Sequence, residues 1–448
     1  MRTFLLSAAL AIGCAQEPAA PDVRVVVYQT ADLHGRAEAL PRLAGFLKRR
    51  ARIDERDGAR VVRFDGGDFF QGTPEGDLTR GQLILDALNL MDYSALCLGN
   101  HDFDIGAEAL EALAKRARFS FLGANVRGAS FVRPSLVVHG IEFVGLVPAG
   151  MARLGNADTG FTFADEAATL KRHPWKQAAR VAITHIGIER DRTLPDAGLC
   201  AILGGHSHVR AVEKIAGVKL MHCGAQGTHV GRLEVTLDAR TGSVRSSAAE
   251  VLEVQGPEDA EVRALIDRGR RPEWDRPIGR LKATLPRGGP EWEAVSSPLG
   301  NHLCDALLGF TKADLCLLPR TGLRRPLAAG EVTWRHVYEA YPFPDDLITV
   351  RMTGGQVQSA LDRAFRERPT LEIGGFSLDW EPGAVEGGLE PRRVYTVAAS
   401  SFLALHGRER RGHGRILDAL VEMVRRGPVE KPYENRIRRK LADGNGKR

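Results

Sequence analysis

Seven side chains with metal-ligating chemistry recur in five short clusters along the first half of the 448-residue chain: Asp32 with His34, Asp68, Asn100, His185, and His206 with His208. Imidazole and carboxylate together suit Zn, Mn, Fe or Co better than Mg, which prefers oxygen ligands and water. Seven ligands are too many for one tetrahedral ion. They match two divalent ions about 3.5–4 Å apart that share a carboxylate, an arrangement suited to in-line displacement at phosphorus. Any one cluster alone reads most simply as a turn or a hydrogen-bonded core histidine. Five in succession define a site.

The elements that must position these residues are legible in the same stretch. Val23–Tyr28, Val61–Phe64, Ala95–Leu98, Ile141–Val147, Val181–Ile183 and Cys200–Leu203 are short apolar, β-branched runs of the kind that forms buried strands. Five of the runs end just before a ligand cluster: Asp32-Leu33-His34, Asp65-Gly66-Gly67-Asp68, Gly99-Asn100-His101-Asp102, Thr184-His185 and Gly204-Gly205-His206-Ser207-His208. In α/β sheets the carboxyl ends of strands are where ligand sites assemble. Glycines beside the ligands let the backbone turn sharply there. Between the strands, Ile84, Ala87, Leu88 and Met91, and again Leu110, Leu113, Ala114 and Ala117, keep helical spacing. The alternation predicts an α/β domain. Gly256–Arg280, charged and carrying Pro257 and Pro272, reads as a connector with some helix. A second α/β unit follows, with Leu299, Leu303, Leu307 and Phe310 as its first helical face and Val394–Ala398 as a late strand.

The order DxH, GD, GNHD, a lone His and GHSH resembles the signature of the calcineurin-like metallophosphoesterases. Thr30-Ala31-Asp32-Leu33-His34-Gly35, Phe70-Gln71-Gly72-Thr73 and Leu98-Gly99-Asn100-His101-Asp102-Phe103-Asp104 are similar to its 5′-nucleotidase branch. The resemblance implies a four-layer αββα sandwich followed by a second α/β domain, the 5′-nucleotidase C-terminal domain that sets substrate specificity. It places one ion on Asp32, His34, Asp68 and His208, and the other on Asp68 (bridging), Asn100, His185 and His206. His101 and Asp104 match the family's catalytic His–Asp pair. Asp102 reads as a solvated turn acid. The implied boundaries are 1–20 for a signal peptide, 21–253 for the catalytic domain, 254–280 for a linker, 281–430 for the specificity domain and 431–448 for a basic tail. The family closes by rotating the second domain over the metals, which puts a hinge near the linker.

The second half keeps Ser297-Pro298-Leu299-Gly300-Asn301, Tyr341-Pro342-Phe343 and Tyr395-Thr396-Val397-Ala398 with Ser401-Phe402, all similar to that C-terminal domain. By position, Arg324 is its phosphate-binding arginine and Phe402 its base-stacking ring. The chain departs from the pattern elsewhere. Arg320 replaces a small residue, Asp345 adds negative charge where the family has Asn, and Leu371, with Phe376 nearby, stands where the second stacking ring is expected. Arg320, Arg408 and Arg410 read as a solvated face.

The net charge of +6, from 62 basic and 56 acidic residues, comes with no basic–aromatic stripe, which argues against nucleic acid as a partner. Arg2 followed by the apolar run Phe4–Gly13 reads as a secretory signal, too short to span a bilayer. Ala11-Ile12-Gly13-Cys14 resembles a bacterial lipobox, so the expected location is the periplasm or cell envelope, with lipid attachment through Cys14. The five cysteines after it form no CxxC pair and are expected to be buried free thiols. The resulting expectation is an exported two-metal phosphoesterase that converts 5′-nucleotides to nucleosides and phosphate. A nucleotide sugar, a 2′,3′-cyclic nucleotide, a sugar phosphate or a sulfur ester are alternative substrates. A non-catalytic metal-binding lipoprotein is a third reading, disfavoured because His101 and Asp104 would serve it no purpose.

Overall fold

The computed structural model describes residues 22–150, 160–194, 196–287, 295–366, 369–381, 384–427 and 435–439. The expected signal segment with Cys14 and the basic tail lie outside the described residues, save Asn435–Arg439 of the latter.

Alternation within a doubly buried strand builds the first domain. In the strand Val23–Thr30, Val25 and Val27 face one core while Val26 and Tyr28 face another, and none of the four is more than 1% exposed. Strands buried on both faces read as continuous apolar runs, which is why they stand out in the sequence. This strand is third in a seven-stranded sheet, parallel to Arg60–Asp65 on one side and antiparallel to His229–Leu237 on the other. A second sheet of six strands contains the parallel set Ile141–Leu146, Ala179–Thr184, Ala201–Gly204 and Val218–Cys223. The inner faces of the two sheets meet across Val25, Val62, Phe64, Phe143, Val181 and Leu203, with the Phe64 and Phe143 rings stacked 4.1 Å apart. Helices Leu40–Arg56, Gln82–Leu90 and Ala107–Arg116 cover the outer face of the first sheet through Leu43, Ile84 and Leu110. Leu170 and Ile188 cover the second. The result is the expected αββα sandwich.

The helix Ala260–Gly269 is capped by the Asp259 side chain and packs Val262 and Ile266 into the core beneath Leu40–Arg56 and Gln82–Leu90. The chain then turns through Pro272–Asp275 into the strand Pro277–Leu281, which pairs with Gly330–Thr333 in the second domain. That domain is built on a five-stranded sheet in the order 371–374, 315–319, 394–400, 346–353, 408–415. In Leu315–Pro319 the alternation repeats: Leu315 and Leu317 face one core, Cys316 and Leu318 the other. Helix Pro298–Thr311 begins at Ser297, whose hydroxyl accepts the Gly300 N–H, and buries Leu299, Leu303 and Leu307 as expected. Phe310 does not join them. It falls in the last turn, past the edge of the core, and is 51% exposed.

Emptying the stacked contact between the sheets is expected to be costly. Phe143→Ala should destabilise the first domain by about 3–5 kcal/mol, whereas Val212→Ala, at an exposed strand position, should change it by less than about 0.5 kcal/mol. Urea unfolding followed by circular dichroism measures both; equal midpoints would contradict this account of the core.

Candidate metal centre

All seven predicted ligands converge on one rim of the sandwich, at the ends of five parallel strands. They form two groups. Ligand atoms of Asp32, His34 and His208 lie within 4.8 Å of one another, as do those of Asp68, His185 and His206. Asn100 joins the second group, its Oδ1 2.9 Å from His206 Nδ1. Asp68 stands between the groups: its Oδ2 is 3.1 Å from His185 Nε2 and 3.8 Å from His34 Nε2. His206 and His208 are only two residues apart, yet each serves a different group.

The backbone is bent to achieve this. Asp32, His34, Asp68, His206 and His208 all have φ between 47° and 77°, a region non-glycine residues visit rarely. Such strain costs on the order of 1–3 kcal/mol per residue and persists where surrounding structure enforces it. Here the enforcement is visible. Asp32 N–H donates to Gly67 O and His34 N–H to Asp68 O, tying one ligand loop to the next. Both oxygens of Asp32 accept the His206 N–H at 3.0 Å. At Gly99 a Cβ would lie 2.2 Å from Asp68 Oδ1, so only glycine lets the ligand carboxylate approach.

Asp102 is a correction. It is not a solvated turn acid but fully buried, and its carboxylate accepts the N–H groups of Gly99 (2.7 Å), Asp68 (3.0 Å) and Phe69 (3.0 Å). The loop that carries Asn100 folds its own acid inward to hold the loop that carries Asp68.

The donor set fits a pair of cations. His185 Nδ1 and His34 Nδ1 lie 2.6 and 2.9 Å from the carbonyls of Gly66 and Gln71, which can only accept; each Nδ1 therefore carries the proton and each Nε2 faces the site. His34 Nε2 lies 3.0 Å from His208 Nε2, and the buried His185 Nε2 faces Asp68 Oδ2 at 3.1 Å. Burial pushes the His34 imidazole down to about 3, keeping it a neutral donor. Burial also works against charge at His185, yet the Asp68 and Asp32 carboxylates lift it to about 10. Burial opposes ionisation of Asp68 too, but His185 and His101 hold it well below the usual carboxylate range. A pocket with these properties favours positive charge.

His101 Nδ1 is 2.7 Å from Asp104 Oδ2, and the His101 N–H donates to Asp68 Oδ1 at 2.8 Å. Burial would lower its imidazole; Asp68 and Asp104 overcome that and raise it. The ring borders two cavities. One, of about 280 Å³, is lined by the candidate ligands His34, Asp68, Asn100, His206 and His208 with Arg36, Arg287 and Arg324. The other, of about 460 Å³, is lined by Phe103, Ile105, Phe343 and Phe402.

Arg324 thus reaches the cleft, and its guanidinium, which burial lowers, is close enough to be drawn back up by Asp68. Phe402 is 48% exposed on the second cavity rather than core. Leu371 is elsewhere: it is buried in the second domain's sheet opposite Pro319, with Phe376 against the same core. The ring that faces His101 is Phe343, 6.1 Å away. Asp345 accepts hydrogen bonds from the Tyr341 and Ser400 hydroxyls, so its charge is engaged within the wall. Arg320 is not on a solvated face; it pairs at 3.1 Å with the fully buried Glu372. Arg287 was missed, since an arginine isolated beside Gly288-Gly289-Pro290 in the sequence offers no signal by which to find it. The helix Trp334–Ala340 brings the second domain to the rim, with Arg335 on Glu75, Tyr338 on Asp77 and Glu339 on Arg36.

A two-layer rim of this kind on an αββα sandwich defines a metallophosphoesterase. Known proteins agree. The calcineurin-like phosphoesterase family profile matches residues 25–210, and that of the 5′-nucleotidase C-terminal domain matches residues 277–411. The chain belongs to the 5′-nucleotidase family of metallophosphoesterases, and it is a metal-dependent phosphoester hydrolase. It is 24% identical to 5′-nucleotidase of Homo sapiens over 84% of this chain and 79% of that protein. It is 23% identical to protein UshA of Escherichia coli over 78% of each. In fold it is similar to a 5′-nucleotidase precursor from Thermus thermophilus (TM-score 0.84, 23% identity, 93% of this chain and 99% of that one). A sulfate thiohydrolase, SoxB, from the same organism also matches (TM-score 0.79, 17% identity, 94% and 98%).

Two substitutions separate ligand from catalyst. Asp68→Asn should lose bound metal together with nearly all phosphatase activity. His101→Asn should keep its metal and lose roughly 10²–10³-fold in turnover, the scale for one charge-stabilising group. Elemental analysis beside a phosphate-release assay reads both. Full metal in the first variant, or lost metal in the second, would reverse the assigned roles.

Proposed function

We propose that the chain hydrolyses 5′-nucleotides to nucleosides and phosphate, with the phosphate at the metal rim and the nucleoside in the aromatic cavity. The observation that carries this reading is the position of His101, whose ring borders both cavities. A phosphate ester lying across it would place its scissile bond there. Asp32, His34, Asp68 and His208 would hold one divalent ion, and Asp68, Asn100, His185 and His206 the other. Zn, Mn, Fe and Co all suit this donor set. Bound there, the pair supplies Lewis acidity that polarises a phosphoryl oxygen and acidifies a water for in-line attack.

The chain's own groups do the rest. Asp104 orients His101 through Nδ1, leaving Nε2–H to hydrogen-bond the phosphoryl or leaving oxygen as charge develops. Arg324 and Arg287 offer N–H forks to the remaining phosphoryl oxygens, a geometry guanidinium suits better than ammonium. Phe402 and Phe343 present ring faces to the leaving group. Burial of Arg324 and His101 strengthens their charged contacts.

For location, the apolar run before Cys14 supports export to the periplasm or cell envelope with a lipid anchor at that cysteine. Cys14→Ser should move the chain from the membrane fraction to the soluble envelope fraction; an unchanged distribution would refute the anchor.

The substrate assignment is tested by phosphate release from AMP, ATP, a nucleotide sugar, a 2′,3′-cyclic nucleotide, a sugar phosphate and an aryl phosphate. Nucleoside monophosphates should lead in kcat/KM. Phe402→Ala should cut that preference roughly tenfold, since one stacked base is worth about 1–3 kcal/mol, while leaving the aryl ester unaffected. Equal rates for nucleotide and aryl ester would defeat the nucleotide reading and leave the hydrolytic centre intact.

A further inference from the structure

Of the five cysteines after Cys14, Cys97, Cys223, Cys304 and Cys316 are buried. Two of these meet. Cys304 lies on the sheet-facing side of helix Pro298–Thr311, and Cys316 lies on the strand Leu315–Pro319, on the face it shares with Leu318. The strand register pairs Cys316 with Gly374. Glycine at 374 opens a notch that both cysteines fill: the point a Cβ would occupy there is 2.8 Å from Cys304 Cβ and 3.2 Å from Cys316 Cβ. Disulfide-linked Cβ atoms stand about 3.5–4.5 Å apart, a separation the shared notch accommodates. Both cysteines are free thiols in the structure and belong to the same buried core. Cys97, by contrast, directs its thiol to the carbonyl of Leu146, 3.5 Å away.

We propose that Cys304 and Cys316 form a disulfide when the chain folds in an oxidising environment. The link to a natural compartment rests on the export reading above; the pairing itself rests on geometry alone. The reaction balances with a small disulfide as oxidant. One cysteine thiolate attacks the oxidant's sulfur, forming a mixed disulfide and releasing the first oxidant thiol. The second cysteine then displaces the other, so two protons and two electrons leave the protein and the oxidant becomes two thiols. Neither cysteine is exposed, and burial pushes the Cys304 thiol well above its ordinary range. The thiolate is therefore accessible only before the helix docks, which makes this a bond of folding rather than a switch on the finished protein.

Its place gives it a consequence for the site. The strand it staples ends at Pro319, and the chain passes from there through Arg320–Gly322 to Arg324 at the metal cleft. A cross-link at the base of that strand restrains the element that delivers the phosphate-facing arginine.

The test is refolding of the full-length chain from guanidinium in reduced and oxidised glutathione, followed by denaturation in iodoacetamide and peptide mapping. The expected product is one linked peptide joining Cys304 to Cys316, about 2 Da lighter than the reduced pair, with Cys97, Cys200 and Cys223 alkylated. Protein refolded this way should melt a few degrees above protein refolded under reductant, as a short structural loop closure implies. In Cys316→Ala, Cys304 should become fully alkylated. Alkylation of both cysteines in the wild type, or pairing of either with another cysteine, would overturn the proposal. The wild-type map decides the matter even where the variant fails to fold. A bond that forms in glutathione while the chain stays in the cytoplasm would defeat export alone.

Discussion

The structure is organised around two buried carboxylates, Asp32 and Asp68, set among imidazoles. Asp32 and Asp68 are at most 2% exposed and lie among imidazole nitrogens 3.1–3.8 Å away, two of which have spent their N–H on backbone carbonyls. At an effective dielectric of about 20, unit charges about 4 Å apart interact by about 4 kcal/mol. An arrangement that concentrates carboxylates and imidazole nitrogens so tightly favours positive charge at its centre. Five left-handed residues, the Asp102 stitch and the glycines at 67 and 99 follow from that demand. Each brings a strand end closer to its neighbour than ordinary turns would allow.

The second domain answers to the same constraint from outside. Among its described residues none joins the candidate metal groups; it contributes cations and rings. Arg324 and Arg287 border the metal cleft, while Phe343 and Phe402 border the adjoining cavity. The interface that holds them there is polar: Arg335–Glu75, Tyr338–Asp77, Arg36–Glu339 and Gln71 on the Pro342 carbonyl. Glu75, Arg335, Glu339 and Gln71 are all buried, so separating these partners would leave charged and polar groups unpaired.

How far the sequence led depends on the range of the interaction. Ligand clusters were legible because each sits directly after an apolar run that can only be a buried strand, as Val23–Thr30 and Ala201–Gly204 proved to be. What was not legible involves partners far apart in the chain. Arg320 was read as solvated, but Glu372, 52 positions on, neutralises it. Asp102 was read as a turn acid, but two of the three N–H groups it holds belong to a loop more than thirty residues earlier. Leu371 was read at the stacking position because it aligned there; the two-residue period of its strand turns it into the core, and Phe343 faces His101 instead. Alternation and turn chemistry are local, while ion-pair partners and cavity linings are properties of the folded chain.

The central claim is that Asp68 is shared between two metal ions. Electron paramagnetic resonance of the chain loaded with two equivalents of Mn(II) tests it most directly. A carboxylate-bridged pair about 3.5–4 Å apart should give a spin-coupled dinuclear signal with two ions bound per chain. Two uncoupled mononuclear signals, or saturation at a single ion, would contradict the account.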